Sequence, residues 1–404
     1  MADKVGALKK AAGGAAALPA ALLAPAVLRT AYNVLDCKRR EKRAALKEML
    51  EGEAYPANLE RSDAPRDMAV IMERIREIPM SPKSYGGVLS TLLFALPDML
   101  PMLLETRKST AGKLYRYPPD FRQVEVVSDD GTPLSAVAGI HRDGRPRPAL
   151  IMVHGLFGSK NLWFSQQVAL AAYYGWGYNA MALDLRLFGE SKKLSDAPGT
   201  GGWKEGRDIL ACARYLKSLP EVTSVAAMGG SMGAASCMLA AAQDEERLLD
   251  GGIIAWHGYG DIASQIKFIS TTPRPWEPFA AAYLFFMGCF HLTLGEDARR
   301  WGDFEKYLLE HCAAYYGISP GELLEKSSPA ARLAEVKVPL LAINSDDDPI
   351  VPREQGELLE REAAANPMTQ VLRYPVGGHC AFAVVDKRWM AQVVRSFYDY
   401  WAWI

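Results

Sequence analysis

The sequence has no surplus of either charge: 46 Lys and Arg stand against 47 Asp and Glu in 404 residues, a formal net charge of −1. A field of one sign, which a nucleic-acid binder uses to collect phosphates, is missing, so no nucleic-acid partner is expected. Cysteine is scarce too. The 6 cysteines (Cys37, Cys212, Cys237, Cys289, Cys312 and Cys380) lie far apart without CxxC spacing, which leaves neither a disulfide framework nor a structural zinc site. Cys212, Cys237 and Cys289 sit in apolar runs and are expected to be small buried hydrophobes. There is no glycine-rich phosphate loop and no ligand cluster, so the chemistry is expected to need no metal and no organic cofactor. Internal repeats are lacking as well.

Long apolar runs free of breakers are also missing. Ala11 to Leu28 is nearly devoid of polar side chains and follows Lys9 and Lys10, but it is mostly alanine and is interrupted by Gly13, Gly14, Pro19 and Pro25. Three readings stay open for it: a membrane-facing helix, a signal peptide cut at Ala24-Pro25-Ala26, or an ordinary segment preceding a solvated helix over about Tyr32 to Glu51. The basic cluster Lys38, Arg39, Arg40, Lys42 and Arg43 would suit the cytoplasmic face of an anionic membrane. A cytoplasmic protein with peripheral membrane contact is the expectation, and secretion is the lesser alternative. The second run, Val88 to Leu104, holds Pro97, Asp98 and Pro101, so it reads as a buried or lid-edge helix and not as a span.

What is present is ordinary globular composition, 49% hydrophobic and 23% charged, in a chain long enough for about two to three structural units. From Phe121 to Ile140 the pattern alternates and turns at Asp129-Asp130-Gly131, which predicts an antiparallel hairpin. Short apolar strands then alternate with helices. The strands are expected at Ala149–Val153, Tyr178–Leu183, Ser224–Met228, Gly252–Trp256, Val338–Ile343 and Thr369–Tyr374. The helices are expected at Trp163–Tyr174, Glu205–Ser218, Met232–Gln243, Glu354–Ala365 and Asp386–Trp401. That rhythm predicts an α/β fold with a mostly parallel sheet covered on both faces. The interval between Trp256 and Val338 is too long for a plain crossover and reads as a helical lid or cap.

Gly229-Gly230-Ser231-Met232-Gly233 lies between a strand and a helix, the context in which G-x-S-x-G forms a nucleophile elbow. The serine is held in a strained turn, and the new helix favours negative charge beside it. Upstream, Val153-His154-Gly155-Leu156-Phe157-Gly158 closes another strand and can aim main-chain N–H groups over Ser231. Leu156 and Met232 are the candidate oxyanion donors, with Phe157 possible in the first role. His154 reads as a brace for that turn. A serine needs a base, and His379, in Gly377-Gly378-His379-Cys380 after the last strand, is the best of the histidines. His257 is the main rival because it too follows a strand, whereas His141, His291 and His311 read as locally satisfied. Asp348 is chosen as the acid from Asp346-Asp347-Asp348, with Asp347 as the fallback.

These motifs, together with Asp184-Leu185-Arg186-Leu187-Phe188-Gly189-Glu190-Ser191 and Asp348-Pro349-Ile350-Val351-Pro352, resemble the α/β-hydrolase superfamily from Phe121 to Ile404. Residues 1–120 match no part of it. The resemblance implies a nucleophile at Ser231, an acid at Asp348 and a base at His379, acting on an ester, thioester or amide through an acyl-enzyme. It also implies a structural role for the charged residues Asp184 and Arg186. The expected organisation is a helical N-terminal extension (1–120), a core (121–258 and 336–404) and a helical lid (259–335). The expected activity is hydrolysis of a small-molecule carboxylic ester with a lipophilic acyl group, for which Phe157 and Phe286 are candidate substrate contacts. Acyl transfer or thioester cleavage by the same residues, and a non-enzymatic binding protein, are the alternatives.

Overall fold

The computed structural model describes residues 66–83, 85–95, 117–271, 280, 300 and 304–402. The alanine-rich run, the basic cluster, the helix expected over 32–51, residues 96–104 of the second apolar run, Cys289 and Phe286 lie outside them. Among the described residues no helix is long and apolar enough to cross a membrane.

Eight strands form one sheet: β1 (Phe121–Val127), β2 (Pro133–Gly139), β3 (Arg147–Val153), β4 (Asn179–Leu183), β5 (Val222–Gly230), β6 (Ile253–Trp256), β7 (Leu340–Ser345) and β8 (Thr369–Tyr374). Their order is β1-β2-β4-β3-β5-β6-β7-β8. β1 and β2 form the expected hairpin, with Phe121 opposite Gly139, and β2 runs antiparallel to β4. Every later neighbour is parallel. The sheet is therefore the mostly parallel one that the alternation predicts.

Side-chain period two sends successive residues to opposite faces. Ile151 and Val153 enter one core, where Ile209, Leu216, Met238 and Ala241 of the helices Trp203–Lys217 and Met232–Gln243 cover them. Leu150 and Met152 enter the other, beneath the helices Trp163–Tyr174 and Lys387–Trp401. A further helix, Met68–Glu77, adds Ile71, Met72 and Ile75 to that second core. Asp67 caps it by accepting from Ala69 N–H at 2.8 Å. Cys212 and Cys237 are buried in the first core. Burial pushes both thiols up, out of the reactive range.

Register decides where the loops leave. Val153 is paired with Gly229, Gly230 with Trp256 and Ser345 with Tyr374. The carboxyl ends of β3, β5, β6, β7 and β8 are thus level, and the segments carrying Gly155, Ser231, His257, Asp348 and His379 all leave from one edge of the sheet. His141 belongs to the opposite edge, where it stacks on Tyr173 at 4.0 Å between ring centroids.

Asp184 and Arg186 are both buried in ion pairs, but not with each other. Asp184 takes the ammonium of Lys160 at 2.5 Å and the amides of Lys160 and Glu190 at 2.6 and 2.9 Å. Arg186 forks onto Asp208, with Nε–Oδ2 at 2.9 Å, and also reaches Asp130 and the Tyr316 hydroxyl, each at 2.9 Å. The two buried charges are thus neutralised separately, Asp184 by Lys160 and Arg186 by Asp208.

Candidate active site

Ser231 joins β5 to the helix Met232–Gln243 with φ 57° and ψ −125°, a conformation that side chains other than glycine rarely adopt. Its N–H donates to Trp256 O at 2.9 Å, which ties the turn to β6. The glycine two residues on permits this corner: a Cβ at Gly233 would stand 2.5 Å from His154 O. Small residues at these positions let the elbow pack directly on the end of β3. Met232 opens the helix, so its N–H is among the amides that have no acceptor within the helix.

The loop after β3 lies over the serine. A Cβ at Gly155 would stand 3.0 Å from Ser231 Cβ and 3.5 Å from its hydroxyl. His154 braces the turn: its Nδ1 faces Gly155 O at 2.7 Å and its Nε2 accepts from Leu185 N–H at 3.1 Å. Burial holds its pKa down, in keeping with a neutral ring that donates from Nδ1. Leu156 is half-buried against the first core. Phe157 has φ 58° and is buried, with the rings of Phe188 and Phe304 at 6.2 and 6.5 Å.

The three consecutive aspartates after β7 go separate ways. Asp346 pairs with Arg373 at 2.8 Å. Asp347 accepts from Gly378 N–H at 2.8 Å. Asp348 is buried, and its Oδ1 accepts from the amides of Ile350 and Val351 at 2.7 and 2.9 Å. Its Oδ2 faces two imidazoles: His379 Nδ1 at 2.8 Å and His257 Nδ1 at 3.0 Å. All four acceptor positions of the carboxylate are used. Burial would raise this carboxyl, but the charge of His379 and the hydrogen bonds from both histidines more than reverse it and hold it well below the usual carboxylate range.

The two histidines differ in environment. His257 follows β6 with φ 55° and is fully buried, and burial lowers its pKa against the pull of Asp348. Its Nε2 has no hydrogen-bonding partner among the described residues, which suits a neutral ring whose one proton is on Nδ1. His379 is also desolvated, but Asp348, helped by the Cys380 side chain, raises it well above the ordinary imidazole value. His257, Asp348 and His379 are also the one group of side chains among the described residues whose atoms could converge on a metal ion. At 2.8 and 3.0 Å, however, each Nδ1 proton already fills the line to Oδ2.

The loop after β8 brings His379 to the elbow. Cys380, the residue after the histidine, has its sulfur 3.8 Å from Trp256 O, and a Cβ at Gly230, the residue before the serine, would stand 3.4 Å from that sulfur. The loop of His379 thus runs alongside the elbow. The Ser231 hydroxyl itself is not hydrogen-bonded to His379 among the described residues; such links are often loose before substrate binds.

Thr91 was not singled out by sequence reasoning, yet its Oγ1 accepts from His379 N–H at 2.7 Å. It stands in an apolar run nearly 300 residues earlier, |i−j| = 288, and no local signal marks it.

The model of the "Alpha/beta hydrolase family" matches residues 150–394. A protein of Saccharomyces cerevisiae named monoacylglycerol lipase is 24% identical over 268 residues, covering 62% of this chain and 59% of that protein. The chain thus spans about three-fifths of the length of this curated relative. Among solved structures, an esterase of Pyrococcus furiosus superposes with a TM-score of 0.50 at 17% identity, covering 71% of this chain and 97% of that one. The acylaminoacyl peptidase of Pyrococcus horikoshii does so with a TM-score of 0.48 at 17% identity, covering 74% and 44%.

Proposed function

The chain belongs to the alpha/beta hydrolase family, and from that premise we propose that it is a serine hydrolase cleaving carboxylic esters of lipophilic acyl groups. Ser231 is the nucleophile, His379 the base and Asp348 the acid that orients the imidazole. The observation that carries this reading is the His379–Asp348 hydrogen bond at 2.8 Å, in a loop that runs alongside the turn of a strained serine.

In this mechanism His379 takes the Ser231 proton on Nε2 as Oγ attacks the ester carbonyl. The carbonyl π electrons move onto oxygen, and the oxyanion rests against the N–H groups of Leu156 and Met232 at the start of the helix. His379 then passes its proton to the departing alkoxide, and the acyl group stays on Ser231. Water repeats the sequence and releases the acid. Asp348 keeps the proton of His379 on Nδ1 throughout and stabilises the imidazolium.

The aromatic side chains of Phe157 and Phe304 near the β3 loop and the lipase relative favour a lipophilic acyl group. For residues 259–335 the proposed role is that of a lid for the core of 121–258 and 336–404. For residues 1–120 the proposed role is to bring the enzyme to the membrane surface at which such esters reside. The test is labelling by a fluorophosphonate probe together with hydrolysis of p-nitrophenyl esters of rising chain length. Wild type is expected to label, Ser231→Ala not, and longer acyl chains to be preferred. An unlabelled wild type overturns the proposal. Product analysis with added alcohol acceptors separates hydrolysis from acyl transfer.

A further inference from the structure

The helical residues 87–95 precede the first strand and lie outside the residues matched by the family model. They nevertheless touch the loops of both Asp348 and His379. A Cβ at Gly87 would overlap the Asp347 carbonyl, and a Cβ at Gly378 would stand 2.7 Å from Gly87 O and 2.9 Å from Thr91 Oγ1. Only glycine on both sides allows the approach.

A loop built on Gly377-Gly378 has unusual backbone freedom, so something must hold the histidine that follows. Three hydrogen bonds do so. Gly378 N–H donates to Asp347 Oδ1 at 2.8 Å, Ser345 Oγ donates to Gly378 O at 2.8 Å, and His379 N–H donates to Thr91 Oγ1 at 2.7 Å. The first two come from β7 and the loop that follows it. The third comes from the N-terminal segment. The Thr91 hydroxyl has one proton, which goes to Gly87 O at 2.7 Å, so its lone pairs are committed to the histidine amide. Ser90 and Thr91 are 1% and 7% exposed, which leaves water no room to replace that acceptor.

The segment is itself anchored at both ends. Before it, Ser81 N–H donates to Asp386 Oδ2 at 2.6 Å and Lys83 N–H to Val385 O at 3.1 Å. At its far end, Phe94 packs against Trp163 and Phe164 with ring centroids 5.7 and 5.6 Å apart. An anchored strut transmits position, whereas a loosely attached one would only follow the loop.

We propose that residues 85–95 are a strut for the histidine loop and that Thr91 is a positioning residue, holding His379 in register with Asp348 from a segment foreign to the family core. The inference rests on reading His379 as the base. Misplacement of a catalytic group by about an ångström costs on the order of 100-fold in rate. Thr91→Val, which keeps the shape and removes the acceptor, is therefore expected to lower kcat about 10-fold or more with KM changed less than about twofold. Thr91→Ser, which keeps the hydroxyl, restores kcat. Hydrogen–deuterium exchange of the peptide spanning 375–381 reads the same contact without any activity: it quickens in Thr91→Val and not in Thr91→Ser. If Thr91→Val does not fold, Thr91→Cys makes the same comparison, since a thiol is a weak acceptor of similar size. Unchanged kcat and unchanged exchange in the valine or cysteine variant overturn the strut. An unlabelled wild type with the exchange difference intact would instead overturn the catalytic reading and leave the strut as a purely structural contact.

Discussion

His257 and His379 point their Nδ1 atoms at the same oxygen of Asp348, at 3.0 and 2.8 Å. A carboxylate shared in this way is less basic towards either ring than one that serves a single imidazole. His257, buried beside that oxygen, is expected to temper the pull of Asp348 on His379. His257→Phe removes that competition. The expected result is a fall in kcat/KM of about 10-fold to 100-fold, from a lost hydrogen bond to a charged group. The rising limb of the pH profile should also move to higher pH, because an untempered Asp348 holds the His379 proton more tightly. A rate loss with an unmoved limb would make His257 a packing residue only.

The pH dependence of the wild type follows from the same pair. The base must be neutral to accept a proton, and Asp348 raises the pKa of His379 well above 6.5. The half-point of kcat/KM is therefore expected above pH 6.5. A profile that reaches its plateau below that value would contradict the assignment of His379.

The same groups contribute to stability with opposite signs. Asp348 is depressed on folding, so its contribution is present above about pH 3.9 and is lost as pH falls through its lower folded value. His379 is raised, so its contribution is complete below 6.5 and is lost as pH rises through its folded value. Urea unfolding at several pH values, with Asp348→Asn as the reference, measures both. Equal stability of the two proteins at neutral pH would show that the pair adds nothing to the fold.

Gly233 faces the carbonyl of His154 so closely that a Cβ would stand 2.5 Å from it. Gly233→Ala must push the elbow away from β3. The expected cost is about 1–3 kcal/mol in unfolding free energy, together with loss of fluorophosphonate labelling. Thermal unfolding and labelling of the same preparation test it, and a variant with full labelling would mean that the elbow tolerates the shift.

Arg186 and Asp208 have side chains with no exposed surface. Removing one partner strands the other in the core, so Arg186→Met is expected to cost about 3–5 kcal/mol. A urea midpoint unchanged from wild type would show that the Tyr316 hydroxyl or water compensates.

Much of this architecture could be read in the sequence because it rests on local periodicity. The helices Trp163–Tyr174 and Met232–Gln243 and the strand Thr369–Tyr374 have the expected bounds. β7 is expected at Val338–Ile343 but runs Leu340–Ser345. Pro339 has no N–H for the ladder, and Ser345 is retained by its pairing with Tyr374. What could not be read depends on distant contacts. Nothing local separates Asp346, Asp347 and Asp348, and only the turn after β7 sends them to Arg373, Gly378 and the histidines. Nor could spacing show that His257 and His379 converge on one carboxylate, or that Asp184 would prefer Lys160 to Arg186. The helix Met68–Glu77 falls within the expected helical extension, but its bounds cannot be read locally: the residues that lead into it, Arg66 and Asp67, bond to Trp401 and Tyr400 at the far end of the sequence.

β8 is one of the two edge strands of the sheet, opposite β1, and the last of the described strands in chain order. During translation Ser231 and Asp348 leave the ribosome before His379, so under the proposed mechanism the serine has no base until β8 and the loop after it are made. A stop codon anywhere before residue 369 is therefore expected to remove the proposed base, and it leaves the edge of β7 bare, ready to pair with other chains.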